Sequence, residues 1–171
     1  YQGQPIGYNS PELNHQFTAY EVYQLPCNDL NDYVKANASG CQVHLLLGSH
    51  DWQLDLMQNN IIRPGSYMLQ VEGPNGIEKS YPQVNKAFKG FELGQGGQVR
   101  LTLDHDFIYG YIKEGNKTYF IEPLYYFIPT AAKNLVIVYD AHNVIWDQSV
   151  TCATVDMNEA AENYHDEAKE A

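Results

Sequence analysis

A β-hairpin pattern at residues 107–124 constrains the fold more than any other segment of this chain. Aromatic and β-branched residues flank a turn cluster in which Gly115 and Asn116 tolerate the positive φ angles of tight hairpins. We therefore predict two antiparallel strands joined at this turn. Pro123 has no N–H group for a sheet ladder, so it predicts either the end of the second strand or a position at a sheet edge.

A third strand is predicted immediately before this hairpin. Val99, Leu101 and Leu103 alternate with polar neighbours at the two-residue period of a strand. The segment at residues 104–106 is short and polar, which is typical of a turn. Three strands in series predict an antiparallel meander.

Further strand candidates recur along the chain with turn signals between them. They lie at residues 16–24, 41–47, 52–56, 66–72 and 135–139, the last being a continuous apolar run typical of a buried strand. One short helix is predicted at residues 28–35, capped by Asn28 or Asp29. Many short strands and little helix indicate an all-β fold, either an antiparallel β-sandwich or a barrel.

The sequence divides into three parts. Residues 1–14 are polar, carry glycine and proline, and have no periodicity that would build a core, so we expect an extended N-terminal lead-in. Residues 15–150 form the predicted β domain. Residues 151–171 are acidic and alanine-rich and are expected to form a linker or tail with helical propensity. The chain does not begin with Met, which indicates a processed or excised piece of a longer protein.

Charge and hydropathy argue against two classes of partner. The chain has 171 residues with 10 basic and 21 acidic side chains, a formal net charge of −11. This charge repels phosphate backbones and anionic lipid surfaces. No apolar run is long enough to span a bilayer. We therefore expect no nucleic-acid partner and no membrane insertion.

A family pattern runs through the middle of the sequence. It consists of strands at residues 43–47 and 52–56, followed in chain order by Gly90, Gly110, Tyr119, Ile121, Glu122, Pro123 and Leu124. This order resembles the propeptide domain of the reprolysin (ADAM-type) zinc metallopeptidases. Animal members usually carry a cysteine just before the glycine strand, where this chain has residues 104–106. We expect a divergent relative, for which a bacterial source is one explanation.

The resemblance implies a binding function rather than an enzymatic one. Such a prosegment belongs to a secreted or extracellular protein, helps the attached protease domain to fold and keeps it latent until cleavage. The motif residues would serve as scaffold. The implied partner is the chain's own metallopeptidase domain, which would hold the zinc. The His-Glu-x-x-His motif of that domain does not occur in these 171 residues, so we expect no metal or other cofactor in this chain.

The resemblance also assigns a role to Cys152. Latency in such families commonly places a cysteine thiolate in the open fourth position of a three-histidine zinc site, where zinc keeps the sulfur deprotonated. Cys152 follows the last strand candidate and precedes the acidic tail. The family motif usually has glycine after this cysteine, whereas Ala153 stands here. The alternative is an ordinary packed or exposed thiol.

Two states are open for the remaining cysteines. A disulfide between Cys27 and Cys41 would close a short loop around the predicted helix. Alternatively, both thiols are reduced and Cys41 is buried in its strand.

The aromatic content suggests a second function class. Six tyrosines of the strand regions are candidates for a ligand platform: Tyr67, Tyr109, Tyr111, Tyr119, Tyr125 and Tyr126. Such a platform would suit an extracellular β-sandwich adhesion or carbohydrate-binding module. Strand propensity explains the same residues without any ligand.

A third function class rests on one acidic turn. Asp104, His105 and Asp106 resemble metal ligands or a general base with carboxylate helpers, as in a metal-dependent hydrolase. A solvated hairpin turn accounts for the same three residues.

Overall fold

The computed structural model describes residues 1–60, 68–74, 76–80 and 85–146. These residues form β1 Gln2–Ile6, α1 Pro11–Gln16, β2 Glu21–Gln24, α2 Cys27–Ala36, β3 Cys41–Leu47, β4 His50–Gln58, β5 Leu69–Gly73, β6 Gly76–Ser80, β7 Ala87–Glu92, β8 Gln98–Asp104, β9 Phe107–Glu114, β10 Lys117–Pro123 and β11 Leu135–Asp140. Short 3-10 helices follow β10 and β11, at Leu124–Tyr126 and Ala141–Asn143. The predicted all-β fold is confirmed.

Nine of the strands close into one barrel, in the order β1-β2-β11-β10-β9-β8-β7-β4-β3. The strands β5 and β6 form a separate two-stranded hairpin. Every neighbouring pair in the barrel is antiparallel except β1 and β3, which pair in parallel. Of the two predicted architectures the barrel is therefore observed, and it is mixed rather than purely antiparallel. Closure pairs both sides of each barrel strand and so protects the sheet edges.

The barrel interior is packed with alternate side chains from its strands. On β3, Cys41, Val43, Leu45 and Leu47 are buried, while Gln42 and the other intervening residues are more exposed. This in-out alternation follows from the two-residue period of a strand. The interior is thus a filled core.

Helix α2 adds to this interior core. Its buried residues Cys27, Leu30 and Val34 belong to the same apolar cluster as the barrel strands. The predicted helix is confirmed, but its predicted cap is wrong. The N-cap is Pro26, no side chain caps the helix, and both candidate caps lie inside it. Burial of Cys27 in the core accounts for the earlier start.

Cys27 and Cys41 are free, buried thiols. The structure therefore has the reduced alternative of the two that the sequence left open. Burial, with a smaller contribution from the negative charge of Asp106, raises the pKa of Cys27 to about 11. Burial also raises the pKa of Cys41. Both thiols are therefore protonated at neutral pH and poor nucleophiles.

The N-terminal segment takes part in the fold, which corrects the expectation for residues 1–14. Strand β1 belongs to the barrel, and Leu13 of α1 is fully buried in a second apolar cluster. That cluster also contains Phe17 and Ile137. The sequence pattern missed β1 because Gly3 faces the interior, where a Cβ atom would overlap the side chain of Leu47.

Other sequence predictions are confirmed in part. The meander β8-β9-β10 forms as predicted. Pro123 ends β10, but β10 is not an edge strand, because it pairs with both β9 and β11. The strand predicted at residues 16–24 is shorter, because α1 extends to Gln16 and β2 begins at Glu21. The strand predicted at residues 66–72 begins at Leu69, and residues 66 and 67 lie outside the described residues.

Neither helix has the length and apolar composition needed to cross a bilayer, among the residues that the structure describes.

Candidate functional site

Most of the residues that carry the family pattern lie in the barrel wall formed by strands β7 to β10. Gly90 is on β7, Gly110 on β9, and the last group runs from β10 into the following 3-10 helix, namely Tyr119, Ile121, Glu122, Pro123 and Leu124. Gly110 is paired with Leu101 of β8 on one side and with Ile121 on the other. Tyr119, Ile121 and Leu124 are buried. These residues therefore form one contiguous part of the scaffold.

The two pattern glycines are required by close approach of neighbouring strands. A Cβ atom at Gly90 would overlap the backbone carbonyl oxygen of Asp55. At Gly110 it would overlap the carbonyl oxygen of Arg100, and the φ angle of 151° is rare for residues with a side chain. No flexible side chain is available to move aside at either position. Any other residue would therefore distort the wall.

Glu122 is a buried carboxylate on the outer face of this wall, with 9% of its surface exposed. Tyr109 and Tyr139 flank it from strands β9 and β11, and their hydroxyls favour its ionised form. Burial raises the pKa of Glu122 above its ordinary range, although the two tyrosines oppose the shift. The wall therefore holds an acid that ionises less readily than a surface glutamate.

Four aromatic residues form a partly exposed surface beside Glu122. We call Phe107, Tyr109, Tyr125 and Tyr126 the aromatic surface. The Tyr126 ring centroid lies 6.0 Å from those of Phe107 and Tyr109, and 5.2 Å from that of Tyr125. The exposed fractions of Tyr109 and Tyr126 are 41% and 54%. Exposed, mutually packed aromatic rings are typical of binding surfaces.

Three of the six tyrosines proposed as a ligand platform lie together in the structure. Tyr109, Tyr125 and Tyr126 come together, whereas Tyr119 faces the interior and Tyr111 packs on Phe120 with ring centroids 6.3 Å apart. The sixth candidate, at position 67, lies outside the described residues. The sequence analysis missed Phe107, although its place two residues before Tyr109 puts both on one face of β9.

The acidic turn between β8 and β9 is occupied by ion pairs. The Asp104 carboxylate pairs with Lys86 and lies 3.9 Å from the Lys35 Nζ. Asp106 lies 3.4 Å from the Nζ of Lys133. Within residues 1–60, 68–74, 76–80 and 85–146, no three His, Cys, Asp or Glu side chains are placed to hold a metal ion. The ion pairs with three lysines are what a solvated hairpin turn would form.

A cleft of about 330 Å³ opens where β2 and β10 begin and β11 ends. Its principal lining residues are Tyr20, Glu21, His50, Lys117, Tyr119 and Asp140. These residues come from four strands and one loop, and none of them was singled out for this site by the sequence pattern. Their sequence separation explains why, because the barrel closure alone brings them together.

His50 forms one wall of the cleft. Its ring stacks on Trp52 with centroids 4.7 Å apart and contacts Tyr119 at 4.5 Å. The Nε2 atom of His50 lies 3.6 Å from an Oε2 atom of Glu21, which accepts a 2.6 Å hydrogen bond from the Tyr23 hydroxyl. The Tyr23 hydrogen bond therefore holds the Glu21 carboxylate beside His50.

Cys152 lies outside the described residues, as do residues 151–171. Its zinc-directed role stays a prediction.

No model of a known protein family matches this chain, and no curated protein sequence matches it significantly.

Proposed function

We propose that this chain is the prosegment of a secreted zinc metallopeptidase, which assists folding of the protease domain and keeps it latent by binding to it. The observation that supports this most is the placement of the family-pattern residues. Gly90, Gly110 and the segment from Tyr119 to Leu124 lie within the run of strands β7 to β10 and the 3-10 helix that follows it, with Gly110 in register with Ile121. The two pattern glycines lie where neighbouring strands approach too closely for a side chain, and Glu122 is buried, so these pattern residues have structural roles in this chain.

The aromatic surface is the proposed docking face for the protease domain. Tyrosine and phenylalanine are enriched at the centres of protein interfaces, where they bury much area with little loss of side-chain entropy. The tyrosines at positions 109 and 126 are exposed and supported by neighbouring rings. In this proposal the chain itself performs no catalysis, and its own metallopeptidase domain is its partner.

Cys152 is the proposed zinc-directed thiol. Zinc in the attached protease domain would stabilise the Cys152 thiolate. The thiolate would in turn occupy the coordination position that an attacking water needs. Covalent attachment gives such a contact an effective concentration on the order of millimolar, so latency does not require high intrinsic affinity. The full-length protein would then be a metallopeptidase zymogen.

This proposal is tested by adding the 171-residue chain to the metallopeptidase domain of the same precursor and measuring the inhibition constant. We expect Cys152→Ala to weaken inhibition. Undiminished inhibition by this variant would eliminate the thiol mechanism and leave docking through the aromatic surface.

Docking is tested separately by binding of variants to the same protease domain. Tyr126→Ala should weaken binding about tenfold or more, as expected for a central aromatic contact. Phe91→Ala is the matched control, because Phe91 is a similarly exposed aromatic, at 56%, outside the aromatic surface. Equal binding by both variants would contradict the proposed docking face.

The aromatic surface also favours a second candidate, an extracellular adhesion or carbohydrate-binding module. Exposed rings such as Tyr126 can pack against the apolar faces of sugar rings, and tyrosine hydroxyls can bond to sugar hydroxyls. This candidate predicts retention on an immobilised polysaccharide that Tyr126→Ala abolishes, and indifference to the protease. Retention without protease binding would favour it over the prosegment.

A further inference from the structure

The cleft combines fixed negative charge with aromatic walls. Glu21 and Asp140 supply carboxylates, and Tyr20 and Tyr119 supply rings. The side chain of Asp140 is only 12% exposed, and its Oδ1 accepts hydrogen bonds from the backbone N of His142 at 3.0 Å and from the ring at 2.8 Å. Although partial burial opposes it, these bonds lower the pKa of Asp140. Asp140 is therefore ionised at neutral pH.

A cation already lies over one of these rings. The Nζ atom of Lys117 is 5.9 Å from the ring centroid of Tyr119. No carboxylate within the described ranges lies within ion-pair distance of this ammonium group. Lys117 thus occupies a cation–π position, and the charge of Asp140 acts on it from beyond ion-pair distance. The flexible stem of Lys117 lets it swing into solvent and leave that position to another cation.

We propose that this cleft binds the cationic side chain of an arginine or lysine from a partner polypeptide. Glu21 and Asp140 provide the countercharges, the Tyr119 ring provides the cation–π face, and Lys117 moves aside. The inference rests on the proposed function, in which the partner is the protease domain. It identifies a specific contact in that complex, between a basic side chain of the protease domain and the cleft.

Size and charge both fit this ligand. A volume of about 330 Å³ lies within the range of small-ligand sites and accommodates a guanidinium group with its methylene stem. The chain's net charge of −11 attracts a basic partner surface over long range. An anionic ligand fits less well, since the cleft presents two carboxylates, and its basic side chains are Lys117 and His50.

The test uses small probes that need no protease. N-acetyl-arginine methylamide is titrated into the 171-residue chain, with N-acetyl-glutamine methylamide as the uncharged probe, and backbone amide shifts are followed by NMR. We expect the arginine probe to shift the cleft signals and to bind about tenfold more tightly than the glutamine probe. Equal binding of the two probes would overturn the proposal.

Three variants sharpen the result. Glu21→Gln should weaken arginine binding about fivefold or more, because a held countercharge is lost. Glu72→Gln, an exposed glutamate on β5 outside the cleft, should leave it unchanged. Lys117→Ala should strengthen binding, because the competing ammonium is removed. Weaker binding by Lys117→Ala would contradict the proposal. The probes are titrated in the absence of protease. Failure of arginine binding and failure of protease inhibition can therefore be observed independently of each other.

Discussion

At the scale of single residues, the buried Glu122 carboxylate links the fold to pH. Its pKa is raised mainly by burial. The folded protein therefore binds this proton more tightly than the unfolded chain, so the contribution of Glu122 to stability falls as pH rises from about 4.3, the ordinary glutamate pKa, through the raised pKa. The loss is complete above the raised value.

We expect Glu122→Gln to remove this dependence. Relative to wild type, the variant should become progressively more stable as pH rises from about 4 through the raised pKa of Glu122, because the amide cannot ionise. Urea unfolding at a series of pH values measures the difference between the two proteins. Glu78→Gln, an exposed glutamate on β6, is the control and should show no such trend. A gap between Glu122→Gln and wild type that is independent of pH would contradict this account.

A second residue-scale prediction concerns strand crowding. Gly90→Ala should destabilise the protein by about 3 kcal/mol, because its methyl group overlaps the Asp55 carbonyl and the sheet must distort. Gly7→Ala is the matched control, since nothing lies within 4 Å of a Cβ atom there. Denaturant unfolding measures both variants. Similar free energies of unfolding for the two variants would show that the sheet accommodates a methyl group at position 90.

The sequence predicts some residue environments and not others. The interior positions of β3 follow directly from alternation. Glu122 does not, because a polar residue between Ile121 and Pro123 is expected at the surface, and only the flanking tyrosines on other strands bury it. The same limit applies to His50, whose stacking on Trp52 is local but whose approach to Glu21 depends on barrel closure.

At the scale of elements, the packing of helix α2 on the core can be tested with single substitutions. Leu30→Ala should destabilise the protein by about 2 to 5 kcal/mol, because Leu30 is 1% exposed and belongs to the interior core. Lys35→Ala, on the partly exposed side of the same helix, should change stability by less than about 1 kcal/mol. Thermal or urea unfolding measures both. A small effect of Leu30→Ala would show that α2 is not part of the cooperative core.

Local elements were predictable, and long-range pairings were not. The meander β8-β9-β10 and the α2 helix follow from turn residues and periodicity that lie close in sequence. The pairing of β1 with β3 joins Gln2 to Leu46, and no local pattern encodes it. Helix α1 has few apolar residues, and its one buried residue, Leu13, gives no periodic signal.

At the scale of the whole molecule, the filled barrel is a rigid support for surface sites. Its interior holds packed side chains, whereas the aromatic surface and the cleft both lie outside this core or at its end. A rigid support positions binding residues with little loss of entropy on association. The all-β class was predictable from the sequence, but the choice of barrel over sandwich was not, because strand order depends on distant pairings.

The central claim is that this barrel silences a neighbouring zinc metallopeptidase. The most direct measurement titrates the 171-residue chain into the active metallopeptidase domain of the same precursor while hydrolysis of a fluorogenic peptide is followed. The account predicts that the rate falls as chain is added and returns once the chain is digested. An unchanged rate at saturating chain, or a precursor that encodes no zinc metallopeptidase, would contradict it.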